Sequence, residues 1–198
     1  MLDPRFVYLA AVVDLIGGGF YAFATLKGHT KPNRVTWFLW AVIPLITLSA
    51  QLSEGVGLTV IFTLAISVGP LLVFISSFVN RQAYWKINKF DWACGGLAIL
   101  ALILWALTRN ALAAIILSVG ADFIAGLPTL IKSYRYPETE SASAYLAGIF
   151  SGGLTLLTIK IWNPATYLLP FYLFVWCALT YALIHYPKLR LPRKVVSL

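Results

Sequence analysis

Two aspartates occupy positions in the chain where a charge is costly. Asp14 lies inside the apolar run 6–26, and Asp122 lies inside the apolar run 111–131. Each run is about the length of one membrane span, so each carboxyl group is expected near the middle of a bilayer. An ionisable side chain there costs at least about 2.5–3.5 kcal/mol, and it normally faces a bundle interior or an aqueous cavity. The two aspartates are therefore the first candidates for a binding site.

A carboxyl group in such a place has three plausible roles. A low dielectric disfavours its charged form, so it can take up and release a proton near neutral pH. A pair of carboxylates can also bind a cationic solute or Na⁺. The structural alternative is a protonated aspartate that hydrogen-bonds to a neighbouring helix and holds the bundle together. We favour a binding role for at least one of the pair, and for Asp122 first, because ionisable residues inside membranes are usually functional.

Polar and small residues continue from each aspartate along one helical face. Both sets follow the spacing i, i+4, i+7, i+11, which places their members on the same side of a helix. They are Asp14, Gly18, Tyr21 and Thr25 in the first set, and Asp122, Gly126, Thr129 and Ser133 in the second. Matching stripes on two helices predict one cavity lined by both, with Tyr21 and Thr129 among the residues that contact the solute.

Three aromatic residues extend the predicted site. Trp40 and Tyr145 lie in the second and sixth apolar runs, where they can stack on a sugar or amino-acid ring from opposite sides. The alternative for Trp40 is a place in the interfacial aromatic belt. Trp176 lies near the middle of the seventh run, which is too deep for that belt.

Helix-breaking residues interrupt several of the apolar runs. Those we predict as hinges are Gly18, Pro44, Pro128 and Gly152. Hinges at such residues would let helices bend during a conformational change. The alternative is close packing, since small residues also let membrane helices approach one another.

The composition indicates a single all-α integral membrane domain over residues 1–198. Hydrophobic residues make up 60% of the chain and charged residues 11%, more apolar surface than a soluble domain of this size can bury. The apolar stretches are long and continuous, as in helices rather than barrel strands. Seven spans are predicted, at 6–26, 35–52, 58–79, 92–108, 111–131, 142–160 and 166–186. Neither the two cysteines nor any other pattern suggests a metal site, a cofactor or an enzyme.

Positive charge is concentrated on one side of the predicted membrane. The chain has 15 lysine and arginine residues and a net charge of +8. With alternating spans, Arg5, Arg109 and Lys160 fall on one side and the other twelve basic residues on the opposite side. Since cytoplasmic loops are enriched in basic residues, we expect the N-terminus outside and the C-terminus in the cytoplasm. The basic tail 187–198 would then bind anionic lipid head groups, and nucleic acid is not an expected partner.

The two halves of the chain resemble each other at a fixed offset of 105 residues. The matching pairs are Lys27 with Lys132, Pro32 with Pro137, Thr36 with Ser141 and Trp40 with Tyr145. The offset maps the first three runs onto the last three, which predicts three-helix repeats at 6–79 and 111–186 joined by a linker helix region at 80–110. An odd linker gives both repeats the same orientation, an arrangement of parallel repeats found in transporters.

This 3+1+3 arrangement resembles the SWEET and PQ-loop superfamily. The recurring element of that superfamily is a helix ending in Pro-Gln, then a basic loop and a polar residue that opens the next helix. The segment 128–135 with Glu140 and Ser141 is similar, although the chain contains no Pro-Gln dipeptide. The resemblance implies a substrate flanked by aromatics of the second and sixth helices, and helix breakers that act as hinges. The asparagines that contact sugar in the third and seventh helices of related carriers have no counterpart here.

These observations predict a transporter that moves a small polar solute by alternating access and couples it to protons. Two alternatives stay open: a cation channel with an acidic pore, and a receptor or lipid-binding membrane protein of the KDEL-receptor type. We expect the protein in a prokaryotic inner or plasma membrane. The sequence does not indicate an oligomeric state or name the solute.

Overall fold

The computed structural model describes residues 2–108 and 110–185, which form seven α-helices and two short 3₁₀-helices. The α-helices are α1 (Phe6–Leu26), α2 (Arg34–Ser53), α3 (Thr59–Val79), α4 (Lys89–Thr108), α5 (Ala111–Arg135), α6 (Ser143–Thr158) and α7 (Pro164–His185). The 3₁₀-helices are Arg81–Ala83 and Pro137–Thr139. Arg109 and the basic tail 187–198, both used above to predict orientation, lie outside the described residues.

The prediction of an all-α membrane protein is confirmed. Five helices, α1, α2, α3, α5 and α7, are long and apolar enough to cross a bilayer, with mean hydropathy between 1.7 and 2.2. Helix α6 is a shorter apolar helix of 16 residues. Each of the seven predicted runs corresponds to one α-helix, and the largest difference in bounds is at the end of α5, which continues to Arg135 rather than ending at residue 131.

The loops gather at two opposite ends of the bundle. At one end, which we call the basic end, the Lys31 backbone N–H donates to the Thr139 carbonyl (2.9 Å) and the Asn80 side chain donates to the Leu26 carbonyl (2.8 Å). At the other end, which we call the far end, the Gln51 side chain donates to the Ala165 carbonyl (3.1 Å). These contacts place the loops α1–α2, α3–α4 and α5–α6 together, and the loops α2–α3 and α6–α7 together.

Six helices pack around one centre with α4 outside them, and for description we call α1, α2 and α3 the first group and α5, α6 and α7 the second. Helix α3 packs against both α1 and α2, and α7 packs against both α5 and α6. The two groups meet where α1 contacts α6 and where α2 contacts α5. Helix α4 packs mainly on α5, and its exposed apolar side chains include Leu97, Ile99, Leu100, Ile103 and Leu104. This leaves six helices around the centre of the bundle.

Close contacts between glycines bring α1 and α3 together. A Cβ placed on Gly18 would lie 2.9 Å from the Gly69 Cα, nearer than real Cβ contacts allow. The backbones therefore approach directly, as small residues permit in membrane bundles. Gly152, on α6, is similarly close to the Pro170 carbonyl of α7, at 3.1 Å from its Cβ position. Two of the four predicted hinges thus lie at tight helix contacts.

Candidate functional site

A cavity of about 80 Å³ lies at the centre of the bundle, and both aspartates line it. Its wall is built from α1, α2, α3, α5, α6 and α7, so both groups of three helices contribute and α4 does not. Trp40, Tyr145 and Trp176 also line the cavity. Five of the seven residues predicted to contact a solute are therefore brought together around one space.

Asp14 joins the two groups of helices at the cavity wall. The residue comes from the middle of α1, and its Oδ1 accepts a hydrogen bond from the Ser151 hydroxyl of α6 (3.1 Å). Gly69 of α3 faces its second carboxyl oxygen. The side chain keeps partial exposure. The carboxyl group is thus held by one neutral donor and is not paired with a cation within the described residues.

Asp122 is held more fully, by α2 and α7. Its Oδ2 accepts a hydrogen bond from the Tyr172 hydroxyl (2.8 Å), and its backbone carbonyl accepts one from the Trp40 indole N–H (3.3 Å). The residue is 4% exposed. One turn further along α5, the Thr36 hydroxyl donates to the Ala125 carbonyl (2.7 Å). These bonds fix the α2–α5 contact beside the cavity.

Aromatic rings form much of the remaining wall. The rings of Trp40 and Trp176 meet edge to face with their centroids 6.2 Å apart, and Trp37 packs against Trp40 at 5.3 Å. The Tyr172 ring lies 6.0 Å from that of Trp176, and its hydroxyl donates to the carboxyl group of Asp122. Trp40 is 7% exposed, which places it inside the bundle and away from an interfacial belt. The wall thus combines two carboxyl groups with several indole rings.

The other predicted residues take different positions. Thr129 is fully buried on α5 but does not line the cavity, and its hydroxyl has no partner among the described residues. Of the predicted hinges, Gly18 and Pro44 line the cavity, whereas Pro128 and Gly152 do not. Tyr21 is fully buried and also lies outside the wall; its hydroxyl contacts a neighbouring cluster of charges.

That cluster borders the basic end of the cavity, and sequence reasoning missed it. Glu140, just after the second 3₁₀-helix, pairs with Lys132 of α5 at 2.6 Å, and both side chains are at most 1% exposed. The second carboxylate oxygen accepts hydrogen bonds from the hydroxyls of Tyr21 (2.6 Å) and Tyr145 (3.2 Å). Since Tyr145 also lines the cavity, this set, which we call the Glu140 cluster, lies directly against it.

The Glu140 cluster connects parts of the chain that are far apart in sequence. The Lys132 ammonium also donates to the Lys31 carbonyl (2.5 Å), and it lies 4.9 Å from the centre of the Trp85 ring. The cluster therefore links α1 and the α1–α2 loop to α5 and α6. The sequence predicts that Lys132 lies in a loop, because the apolar run ends before it. In the structure α5 continues for one more turn, and the Lys132 side chain is buried. No periodic signal marks Glu140.

The far end of the cavity is lined by apolar side chains. Phe62 and Leu169 line the cavity there and pack with Val7 and Ile66. Beside them, the Thr63 hydroxyl donates to the Gln51 side chain (2.7 Å). A charged cluster thus borders one end and apolar packing lines the other.

No model of a known protein family, no curated protein and no solved structure matches the chain. The described residues contain no group of three or more His, Cys, Asp or Glu side chains that could hold a metal ion.

Proposed function

We propose that the chain is a membrane transporter that moves a small polar solute by alternating access and couples it to protons. One observation carries this proposal: the carboxyl groups of Asp14 and Asp122 line the same central cavity, between two groups of three helices. Carboxyl groups at the middle of a membrane bundle are typical of solute and proton pathways.

We infer that the two groups are parallel repeats joined by α4. The pattern of helix contacts supports this. If α1, α2 and α3 are matched with α5, α6 and α7 in that order, the α1–α3 contact corresponds to α5–α7 and the α2–α3 contact to α6–α7. The same exchange turns the α1–α6 contact into the α5–α2 contact. A site between repeats, near the membrane midplane, is the arrangement that alternating access uses.

The different closures support a carrier over a channel. An open channel needs both ends of its pore free at once, whereas the Glu140 cluster borders one end of this cavity and apolar side chains line the other. We infer that each set closes its own end. Rocking of one group against the other would separate the Glu140 cluster on one side or the Phe62 and Leu169 packing on the other. By the positive-inside rule the basic end faces the cytoplasm. Asp14 and Asp122 would exchange protons with whichever side is open.

Transport into liposomes tests this proposal. The full chain is reconstituted, a pH gradient is imposed, and uptake of labelled sugars, amino acids and amines is measured against protein-free liposomes. We expect saturable, gradient-dependent uptake of at least one solute class. Uptake of none would contradict a transporter, and flux far above carrier rates without saturation would identify a channel. Binding of a peptide or lipid head group without flux would favour the receptor alternative.

A further inference from the structure

We propose that the cavity selects a small organic ammonium ion. Movement of this ion across the membrane rests on the proposed function, whereas binding of the ion does not. The charge of the wall is its first support. Asp14 and Asp122 are its only carboxyl groups, and no lysine, arginine or histidine of the described residues lines it. Lys132, the buried lysine of the described residues, is already paired with Glu140 outside the wall.

The hydrogen-bonding capacity left in the wall combines the carboxylate acceptors with the unpartnered indole N–H donors of Trp37 and Trp176. Each carboxyl group accepts one hydrogen bond from a neutral hydroxyl. Ser151 donates to Asp14, and Tyr172 donates to Asp122. Pro44 and Pro70 also line the cavity, and a proline inside a helix leaves the carbonyl four residues earlier without its usual donor. A solute that brings its own positive charge complements such a wall.

The aromatic surfaces favour an organic cation over a metal ion. Na⁺ and divalent cations need a shell of several oxygen ligands, and most of the wall is indole, proline and aliphatic carbon. An alkylammonium ion can instead lie against the faces of Trp40, Trp176 and Tyr145 through cation–π attraction. The buried Trp176 N–H has no partner among the described residues, so it can donate to an oxygen of the same solute.

The volume limits the solute to a few non-hydrogen atoms. Because one water-sized probe needs about 10–15 Å³ by the same measure, a cavity of about 80 Å³ holds roughly five to eight such groups. Choline falls in this range and the smaller ethanolamine fits within it, and each carries a cationic nitrogen and one hydroxyl group. Carboxyl groups that release the cation can then bind protons, which makes exchange of the cation for protons the natural form of coupling.

Binding of choline and its neutral isostere tests the charge requirement. Purified full-length protein in detergent is titrated with choline, ethanolamine and 3,3-dimethyl-1-butanol, which replaces the choline nitrogen by carbon, with calorimetry as the readout. We expect saturable binding of choline or ethanolamine and binding of the isostere weaker by about tenfold or more. Equal binding of choline and the isostere would overturn the proposal, as would no binding of either amine, or loss of amine binding to competing Na⁺.

Variants locate the site. Asp122→Asn and Asp14→Asn are each expected to weaken amine binding by about tenfold or more, while the exposed Glu54→Gln changes nothing. Amine binding unchanged in both aspartate variants would place the site elsewhere. If either variant fails to fold, the comparison of choline with its isostere on the wild-type protein still tests whether the site requires a positive charge.

Flux measurements separate this inference from the proposed function. Choline binding without uptake into liposomes would support the ammonium site and contradict the transporter. Uptake of a neutral sugar that excess choline does not inhibit would support the transporter and overturn the ammonium site.

Discussion

At the scale of single residues, the function depends on where charge is buried and what holds it. Asp14 and Asp122 each accept one hydroxyl hydrogen bond and face a shared space. Glu140, by contrast, is saturated by Lys132 and two tyrosines. A carboxyl group with spare capacity can bind and release a ligand, whereas one saturated by fixed partners holds structure in place. We therefore propose that the two aspartates bind the solute and that Glu140 holds the basic end in place.

Asp122→Asn is expected to lower uptake driven by a pH gradient by roughly tenfold or more, because an amide cannot carry a proton. The amide oxygen can still accept the hydrogen bond from Tyr172, so the fold should persist. Initial rates in liposomes with and without the gradient check this, with Glu54→Gln as the control. Gradient-driven uptake equal to that of the wild type would assign Asp122 a packing role instead.

Glu140→Gln is expected to lower the free energy of unfolding by about 3–5 kcal/mol, because it leaves the buried Lys132 charge unpaired. The double variant Lys132→Met/Glu140→Gln should lose less, since it buries no charge and the amide oxygen can still accept from Tyr21. Unfolding in detergent, followed by circular dichroism, measures both. A double variant no more stable than Glu140→Gln would show that the ion pair is not the dominant contact.

At the scale of helices, close packing of small residues determines how the two groups are built. Gly18 and Gly69 let α1 and α3 touch through their backbones. In a bilayer such contacts drive helix association. Lipid tails are as apolar as the helix surfaces, so the hydrophobic effect does not favour contact between helices there. Helix α4 makes few contacts outside α5, and its apolar side chains stay exposed. It therefore connects the groups without shaping the cavity.

Gly18→Ala is expected to destabilise the bundle by about 1–3 kcal/mol, because its methyl group must push α1 away from α3. Gly19→Ala is the matched control: it lies next in the same helix, and a Cβ there meets nothing within 4 Å. Since alanine favours helix over glycine, the control should be neutral or stabilising. Thermal unfolding of both variants in one detergent gives the comparison, and equal losses would argue against a tight α1–α3 contact.

At the scale of the whole molecule, the closures at the two ends must open in turn for a carrier to work. The basic end is held by a buried ion pair with its tyrosines, and the far end by apolar packing around Phe62. Loss of the charged closure should therefore favour the form that opens toward the basic end. Cys177 offers a probe for this equilibrium, because it lines the cavity and is 8% exposed.

Labelling of Cys177 by a membrane-impermeant maleimide should be slow in the wild-type chain and at least severalfold faster in Glu140→Gln when the reagent is on the basic side. Cys94→Ser removes the only other cysteine and provides the common background. Labelling rates in vesicles of each orientation check this. Faster labelling from the far side would mean that the Glu140 cluster does not close the basic end.

The sequence by itself determined the helices, because lipid-length apolar runs leave the backbone no other way to satisfy its hydrogen bonds. It also singled out Asp14 and Asp122, since a charge stands out in an apolar run. The polar stripes also predicted one cavity lined by both, but only the tertiary structure decided which other residues line it and that Lys132 and Glu140 are buried together. Those contacts join residues as distant as Tyr21 and Glu140, 119 positions apart. Hydrophobic periodicity indicates which face of a helix points away from lipid. Which residues that face contacts depends on how the helices pack against one another.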